Sequence, residues 1–297
     1  MDKPKIKTLR VFHFDERHNE KIPQLYREYD ERGNKVKEIS YSGEEEIVEE
    51  KIFTYDENNR LVEEKSHYAE DEVTQVTRYE YDEKGRISKS HKSYGEEGDE
   101  DTTFYSYDAT GNIIEERTES SDGEIEHKET WKFDGAKLIE NEVFDADGKR
   151  IEYSRFSYGE KDALAEEIRY RNEIDQELKI IYDHKVFGKF PDTTVYNPAG
   201  KIVQGTRHTF DEKEQLVQEV TETVDLVVKK FTSRYSYDDK GNRVELSIVD
   251  KNENLISKIV YKHNEFNLLV EEVLHEEVIP GAELRPTKTL TEYEFYT

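Results

Sequence analysis

The chain has no cysteine, one methionine and only six prolines in 297 residues. The missing cysteine removes disulfides, thiolate metal sites and cysteine nucleophiles together. No window approaches the run of about 20 apolar residues that a membrane-spanning helix needs, and the opening Met1-Asp2-Lys3-Pro4-Lys5-Ile6 lacks the apolar core of an export signal. As given, the chain reads as soluble and cytoplasmic, or as exported if Met1 stands in place of a removed signal. Basic residues are scarce as well: 44 Lys and Arg stand against 70 Asp and Glu, a formal charge of −26. Such a surface repels a phosphate backbone and an anionic membrane, so neither nucleic acid nor membrane insertion is expected. A basic protein would be attracted at long range.

Aliphatic residues are sparse too. Hydrophobic residues make up 33% of the chain and charged ones 38%, too little apolar material for a thick core. Yet 20 Tyr and 13 Phe set it apart from an aromatic-poor disordered acidic chain. It is expected to fold, but thinly.

The aromatics are periodic. Tyr29, Tyr55, Tyr81, Tyr107 and Phe133 follow one another at 26-residue intervals, and Tyr158, Tyr182, Phe210, Tyr237 and Tyr261 continue the series more loosely. A period of this size is the mark of stacked supersecondary units. Two residues before most anchors stands another large side chain, as in Tyr79-Glu80-Tyr81 and Tyr105-Ser106-Tyr107, a spacing that puts both on one face of a strand. The Asp that follows opens a turn, because its carboxylate can bond backbone N–H groups ahead of it, and the Gly three residues on supplies a positive φ. Asn59 fits that role in Asp56-Glu57-Asn58-Asn59. An aliphatic then starts the next strand, and 12 or 13 residues beyond each anchor comes a second, more variable turn. The unit is two antiparallel strands and two turns.

The expected fold is therefore all-β: a single domain over residues 1–297, a repeat of about 20 antiparallel strands in consecutive hairpins, forming a long curved or spiral sheet. Open sheets of more than about ten strands curl or split. The helix-former-rich segments Glu44 to Lys51 and Asp162 to Glu167 fall in strand phase and are expected as strands, or at Glu44 to Glu46 as the tip of a long hairpin, and loops or bulges are expected at His184 to Pro198 and Val278 to Pro286.

Residue patterns that carry chemistry are few. None of the nine histidines forms a helical metal pair, and no nucleophile elbow, phosphate-binding glycine loop or zinc-protease sequence is present. Neither enzyme activity nor a cofactor is expected. The aromatic anchors serve as core before they serve as a platform. The acidic hairpin tips Glu44, Glu45, Glu46 and Glu96, Glu97, Asp99, Glu100, Asp101 are the candidate partner surface.

Tyr-x-Tyr-Asp-x-x-Gly-Arg at Tyr79 to Arg86, and its counterparts at Tyr105 to Asn112 and Tyr235 to Asn242, resemble the YD repeats of the Rhs family. The resemblance covers nearly the whole chain. It implies long antiparallel hairpins spiralling into a curved sheet or shell with no catalysis in the repeats, often within bacterial surface or toxin-delivery proteins. The unit is also similar to the hairpin repeats of MORN-like bacterial antitoxins. The function expected is a non-enzymatic interaction scaffold that binds another protein, a basic one, in an immunity, antitoxin or toxin-associated role. The alternative is a cell-surface structural or carbohydrate-binding module with a glycan as partner.

Overall fold

The computed structural model describes residues 4–43, 45–70, 73–95, 100–186, 188–224, 228–276 and 285–296. They form 22 strands. The first eleven are β1 Ile6–Asp15, β2 Glu20–Tyr29, β3 Lys35–Tyr41, β4 Ile47–Tyr55, β5 Leu61–Tyr68, β6 Val73–Tyr81, β7 Ile87–Tyr94, β8 Glu100–Tyr107, β9 Ile113–Glu119, β10 Ile125–Asp134 and β11 Lys137–Phe144. The rest are β12 Arg150–Tyr158, β13 Leu164–Arg171, β14 Gln176–Asp183, β15 Asp192–Tyr196, β16 Ile202–Phe210, β17 Leu216–Val224, β18 Val228–Tyr237, β19 Arg243–Val249, β20 Leu255–His263, β21 Leu269–Glu276 and β22 Arg285–Phe295. A single 3-10 turn, Glu160–Asp162, is the only helical element among the described residues.

Every strand pairs antiparallel with the next, and β22 pairs antiparallel with β1, Leu9 opposite Tyr293 and Val11 opposite Thr291. The sheet is curved, as expected of so many strands, and the curve closes into a barrel without edges. Tyr296 completes the seam: its N–H donates to the Lys5 carbonyl at 3.0 Å and its hydroxyl to the Tyr29 carbonyl at 2.6 Å. Following partners from Leu9 through Arg27, Glu38, Lys51, Ser66 and Gln75 leads to Tyr94, from the middle of β1 to the far end of β7. That drift is the stagger that closure demands, with strands tilted by about 35–45° to the axis. At a strand spacing of about 4.8 Å the barrel is then roughly 40 Å across. The accessible surface is 19048 Å², against roughly 13,000 Å² for a compact monomer of this mass. The barrel is hollow.

Register assigns the two faces. One carries the aromatic pairs with Ser66, Ser90 and Ser154, which are among the most buried residues described. The other carries Lys and Glu that pair across strands, such as Lys37–Glu50 at 2.5 Å, Lys128–Glu115 at 2.7 Å, Lys179–Glu166 at 2.6 Å and Lys258–Glu245 at 2.7 Å. The direction of the register drift, with the right-handed coiling of strands, turns the aromatic face to the lumen and the ion-paired face outward.

The motif turns all lie at one rim, and Asp82 shows how they are held. Its Oδ1 accepts the N–H groups of Lys84 and Arg86, both at 2.9 Å, and its Oδ2 accepts Arg86 Nε at 2.8 Å. Gly85 sits at φ +78 in the position that demands it, and Asn59 takes the same position at φ +65. The anchors then tie neighbouring turns together. The hydroxyls of Tyr55, Tyr81, Tyr107, Tyr158 and Tyr237 donate to the carbonyls of Lys35, Leu61, Ile87, Leu138 and Leu216 at 2.6 to 3.0 Å. Phe133 and Phe210 fill the slot without a hydroxyl.

Two anchors are shifted from their expected place. In β20 the residue before the turn is His263, opposite Leu269, and Tyr261 stands two residues earlier. Likewise His184 Nε2, not the Tyr182 hydroxyl, lies 2.7 Å from the Leu164 carbonyl oxygen. Spacing between aromatics locates the motif only where the slot holds an aromatic. Ile47 to Lys51 and Leu164 to Glu167 lie in β4 and β13 as expected, whereas Glu45 and Glu46 belong to the hairpin tip, Asp162 ends the 3-10 turn, and Glu44 is outside the described residues. Pro286 lies inside β22, opposite His275, while Val278 to Leu284 are outside the described residues.

Candidate functional site

The alternation of up and down strands sends the motif turns to one rim and the variable turns to the other. The two rims differ in charge. By sequence the eleven connections of the variable rim hold 21 Asp and Glu against four Lys and Arg, of which 12 acids and all four bases are among the described residues, whereas the ten of the motif rim hold 15 against nine. At the motif rim many acids are used locally: Asp30, Asp56, Asp82, Asp108 and Asp238 each cap a turn and bond the Asn or Arg four residues on.

The described residues of the two predicted acidic tips lie at the variable rim or next to it. Glu45, at φ +64, and Glu46 are exposed in the turn between β3 and β4. Glu100 opens β8, exposed, with Oε1 3.4 Å from His91 Nδ1, and Asp101 follows it half-buried on the lumen face. Glu44, Glu96, Glu97 and Asp99 lie outside the described residues. Four strand spacings, about 20 Å, separate the two tips along the sheet.

The lumen has acids of its own, which inspection of the hairpin tips passes over. Glu38, Glu64, Glu116, Glu167, Glu219 and Glu272 occupy equivalent positions on β3, β5, β9, β13, β17 and β21, three of the remaining odd strands carrying Ser90, Asn141 and Leu246 there. Each sits across from the first residue of an aromatic pair or its substitute, Glu64 opposite Phe53 and Glu116 opposite Tyr105. The signal was present as a second 26-residue recurrence, hidden by the abundance of Glu.

These carboxylates differ in surroundings. Glu38 bonds Arg27 Nε at 2.6 Å and Lys35 Nζ at 3.0 Å; although burial works against it, these cations hold its carboxyl below the usual range. Glu167 is buried and saturated: Ser154 Oγ donates at 3.1 Å, Arg169 Nε at 2.7 Å and the Tyr182 hydroxyl at 2.7 Å. Burial first, and then this bond, push the Tyr182 phenol well up. Glu116 has no such partner and faces Glu129 across the strand pair; burial, reinforced by that neighbour, raises its carboxyl.

No protein-family model matches the chain, and no curated protein matches it in sequence. Among solved structures it is similar to the Tc holotoxin pore of Photorhabdus luminescens, at 13% identity over 97% of this chain with a TM-score of 0.34. A crystal structure of TcdB2-TccC3 with Cdc42 matches 92% of this chain at 11% identity and a TM-score of 0.30. In both cases the chain spans 21% of the matched chain. A porin-like protein from Bacteroides uniformis matches 97% of this chain and 98% of its own length, at 10% identity and a TM-score of 0.34. At TM-scores below 0.5, none of these likenesses bears on function.

Proposed function

We propose that the chain is a non-enzymatic interaction scaffold, a YD-repeat-like barrel whose acidic variable rim docks a basic protein. The observation that carries this reading is the ratio of acids to bases in the connecting segments: 21 to four in the variable turns by sequence, 12 to four among their described residues, against 15 to nine in the motif turns. A ring of like charge around an opening steers a cationic partner and fixes its orientation more than it adds raw affinity. The motif residues are occupied in building turns and straps, and although Asp145 and Asp250 cap variable turns in the same way, Glu45 and Glu46 remain exposed there to recognise a partner. An immunity or toxin-associated role is the most concrete form of such a scaffold. Membrane insertion has no support in the outer face, where ion pairs such as Lys37–Glu50 lie in mid-strand; a cation on a lipid-facing strand costs about 2–4 kcal/mol at the bilayer midplane.

The test compares two variants for capture of basic proteins from a lysate of the source cell, followed by measurement of the purified pair. One neutralises Glu44, Glu45, Glu46, Glu96, Glu97 and Glu124 to Gln; the other neutralises Glu31, Glu57, Glu83, Glu160, Glu212 and Glu265 at the motif rim. Association should slow with rising ionic strength and collapse only in the first variant. Equal binding by both, or binding indifferent to salt, overturns the proposal.

A further inference from the structure

The longest connection at the motif rim is the eight residues between β14 and β15, and it does not follow the repeat. It reaches along the rim onto neighbouring hairpins. Lys189 Nζ lies 3.5 Å from Glu214 Oε2 in the turn after β16, and the Phe190 ring stacks at 5.8 Å on His208 of β16. The end of the loop is pinned where it enters β15: Asp192, 4% exposed, accepts the His208 N–H at 2.6 Å and pairs closely with Lys185.

Between this loop and the barrel wall is a cavity of about 430 Å³, lined by Phe190, Pro191, Phe210, Leu216, Tyr237 and Arg243 with Lys189 and Glu214 at its margin. That is the size range of small-ligand sites, which combine apolar walls with a few placed polar groups. The walls are aromatic and aliphatic. Phe190 is 64% exposed, more than any other large hydrophobic residue described, and the Tyr237 hydroxyl is already committed to the Leu216 carbonyl.

The polar group is Arg243. It stands opposite the anchor Tyr237, where Leu61, Ile87, Ile113, Leu138, Leu164, Leu216 and Leu269 stand opposite theirs. Lys35, opposite Tyr29, is the other cation in this position; Arg243 is the one that lines the cavity beneath the long loop. Its guanidinium lies 4.8 Å from the Tyr235 ring centroid and makes no ion pair among the described residues. Folding therefore leaves the bidentate fork free for an anion.

We propose that this pocket binds an amphiphilic carboxylate, a flat apolar body held between Phe190 and Phe210 with its carboxylate on Arg243. The shared chemistry has two sources, a small aromatic acid or a polypeptide C-terminus ending in an aromatic residue. The site is at the opposite rim from the acidic one, so it stands or falls independently of protein docking there.

Calorimetry on the full chain tests it with 2-naphthoate, its neutral analogue 2-naphthamide, and a short peptide ending in Phe as the free acid or the amide. Arg243→Leu installs the residue that other hairpins carry, so its melting temperature should match or exceed that of the native chain. Binding of naphthoate should weaken at least tenfold in Arg243→Leu and in Phe190→Ala, and naphthamide should not bind. Binding of the peptide acid but not its amide assigns the source to a C-terminus; naphthoate alone assigns it to small acids. Failure of both acids to bind at millimolar concentration, equal binding by Arg243→Leu, or equal binding of acid and amide overturns the proposal.

Discussion

The Tyr81 hydroxyl donates to the Leu61 carbonyl oxygen at 2.6 Å, and the Arg60 guanidinium lies 4.5 Å from the centre of the same ring. One side chain thus joins the turn that follows β6 to the turn that precedes β5. Tyr81→Phe should lower stability by about 1 kcal/mol, the net worth of one hydrogen bond. Tyr81→Ala should cost roughly 3 kcal/mol through the lost packing. Denaturant titration measures both; an unchanged midpoint in Tyr81→Ala would show that the anchors are not the core.

Asp108 supplies a pH dependence. The Thr110 hydroxyl first, opposed by desolvation but supported by the Asn112 side chain and the backbone N–H groups of Asn112 and Thr110, holds its carboxyl well below the ordinary value. A depressed folded pKa stabilises the fold above the unfolded value of about 3.9, and that contribution is lost as pH falls through the folded value. Asp108→Asn should therefore be less stable than the native chain at pH 7. The gap should narrow as the pH is taken below about 4; a gap independent of pH would refute the carboxylate's role.

Glu116 has the opposite sign. Burial and then Glu129 raise its carboxyl, with His127 opposing them. The charged form is penalised in the folded barrel, a penalty present above the folded pKa and absent below the unfolded value of about 4.3. Glu116→Gln should raise the melting temperature at pH 7 and leave it unchanged near pH 3. Destabilisation at pH 7 would mean that the carboxylate has a partner on which the barrel depends.

Closure can be tested by removing one strand. A chain ending at Glu276 leaves β1 and β21 each with an unpaired edge, and exposed edges recruit other strands. Light scattering should show concentration-dependent association, where the full chain has no open edge. A truncated chain that stays monomeric at all concentrations would argue against a closed ring.

Much of this architecture is legible in the sequence because each unit is stabilised locally. Asp82, Gly85 and Tyr81 act within one or two hairpins, so their types and spacing predict the turn, the strand ends and the alternation of faces. The reading slips where another residue takes over a task, as His184 and His263 do for tyrosine in the anchor slot. It also passes over Glu38, Glu64 and Glu116, whose 26-residue recurrence is lost among 70 acids. Arg243 is unremarkable in sequence and acquires meaning only opposite Tyr237, beneath a loop that begins some 60 residues earlier in the chain.

By itself the sequence determined the hairpin, its period and the side of each strand that bears aromatics, since these depend on turn chemistry and a two-residue alternation within short stretches. It also determined which turns carry the acids. Only the tertiary structure decided that the sheet closes and that those turns ring one mouth. The hydrogen bonds of any hairpin are the same in an open spiral or a closed barrel. Closure arises from twist and stagger summed over 22 strands, until β22 meets β1 in register.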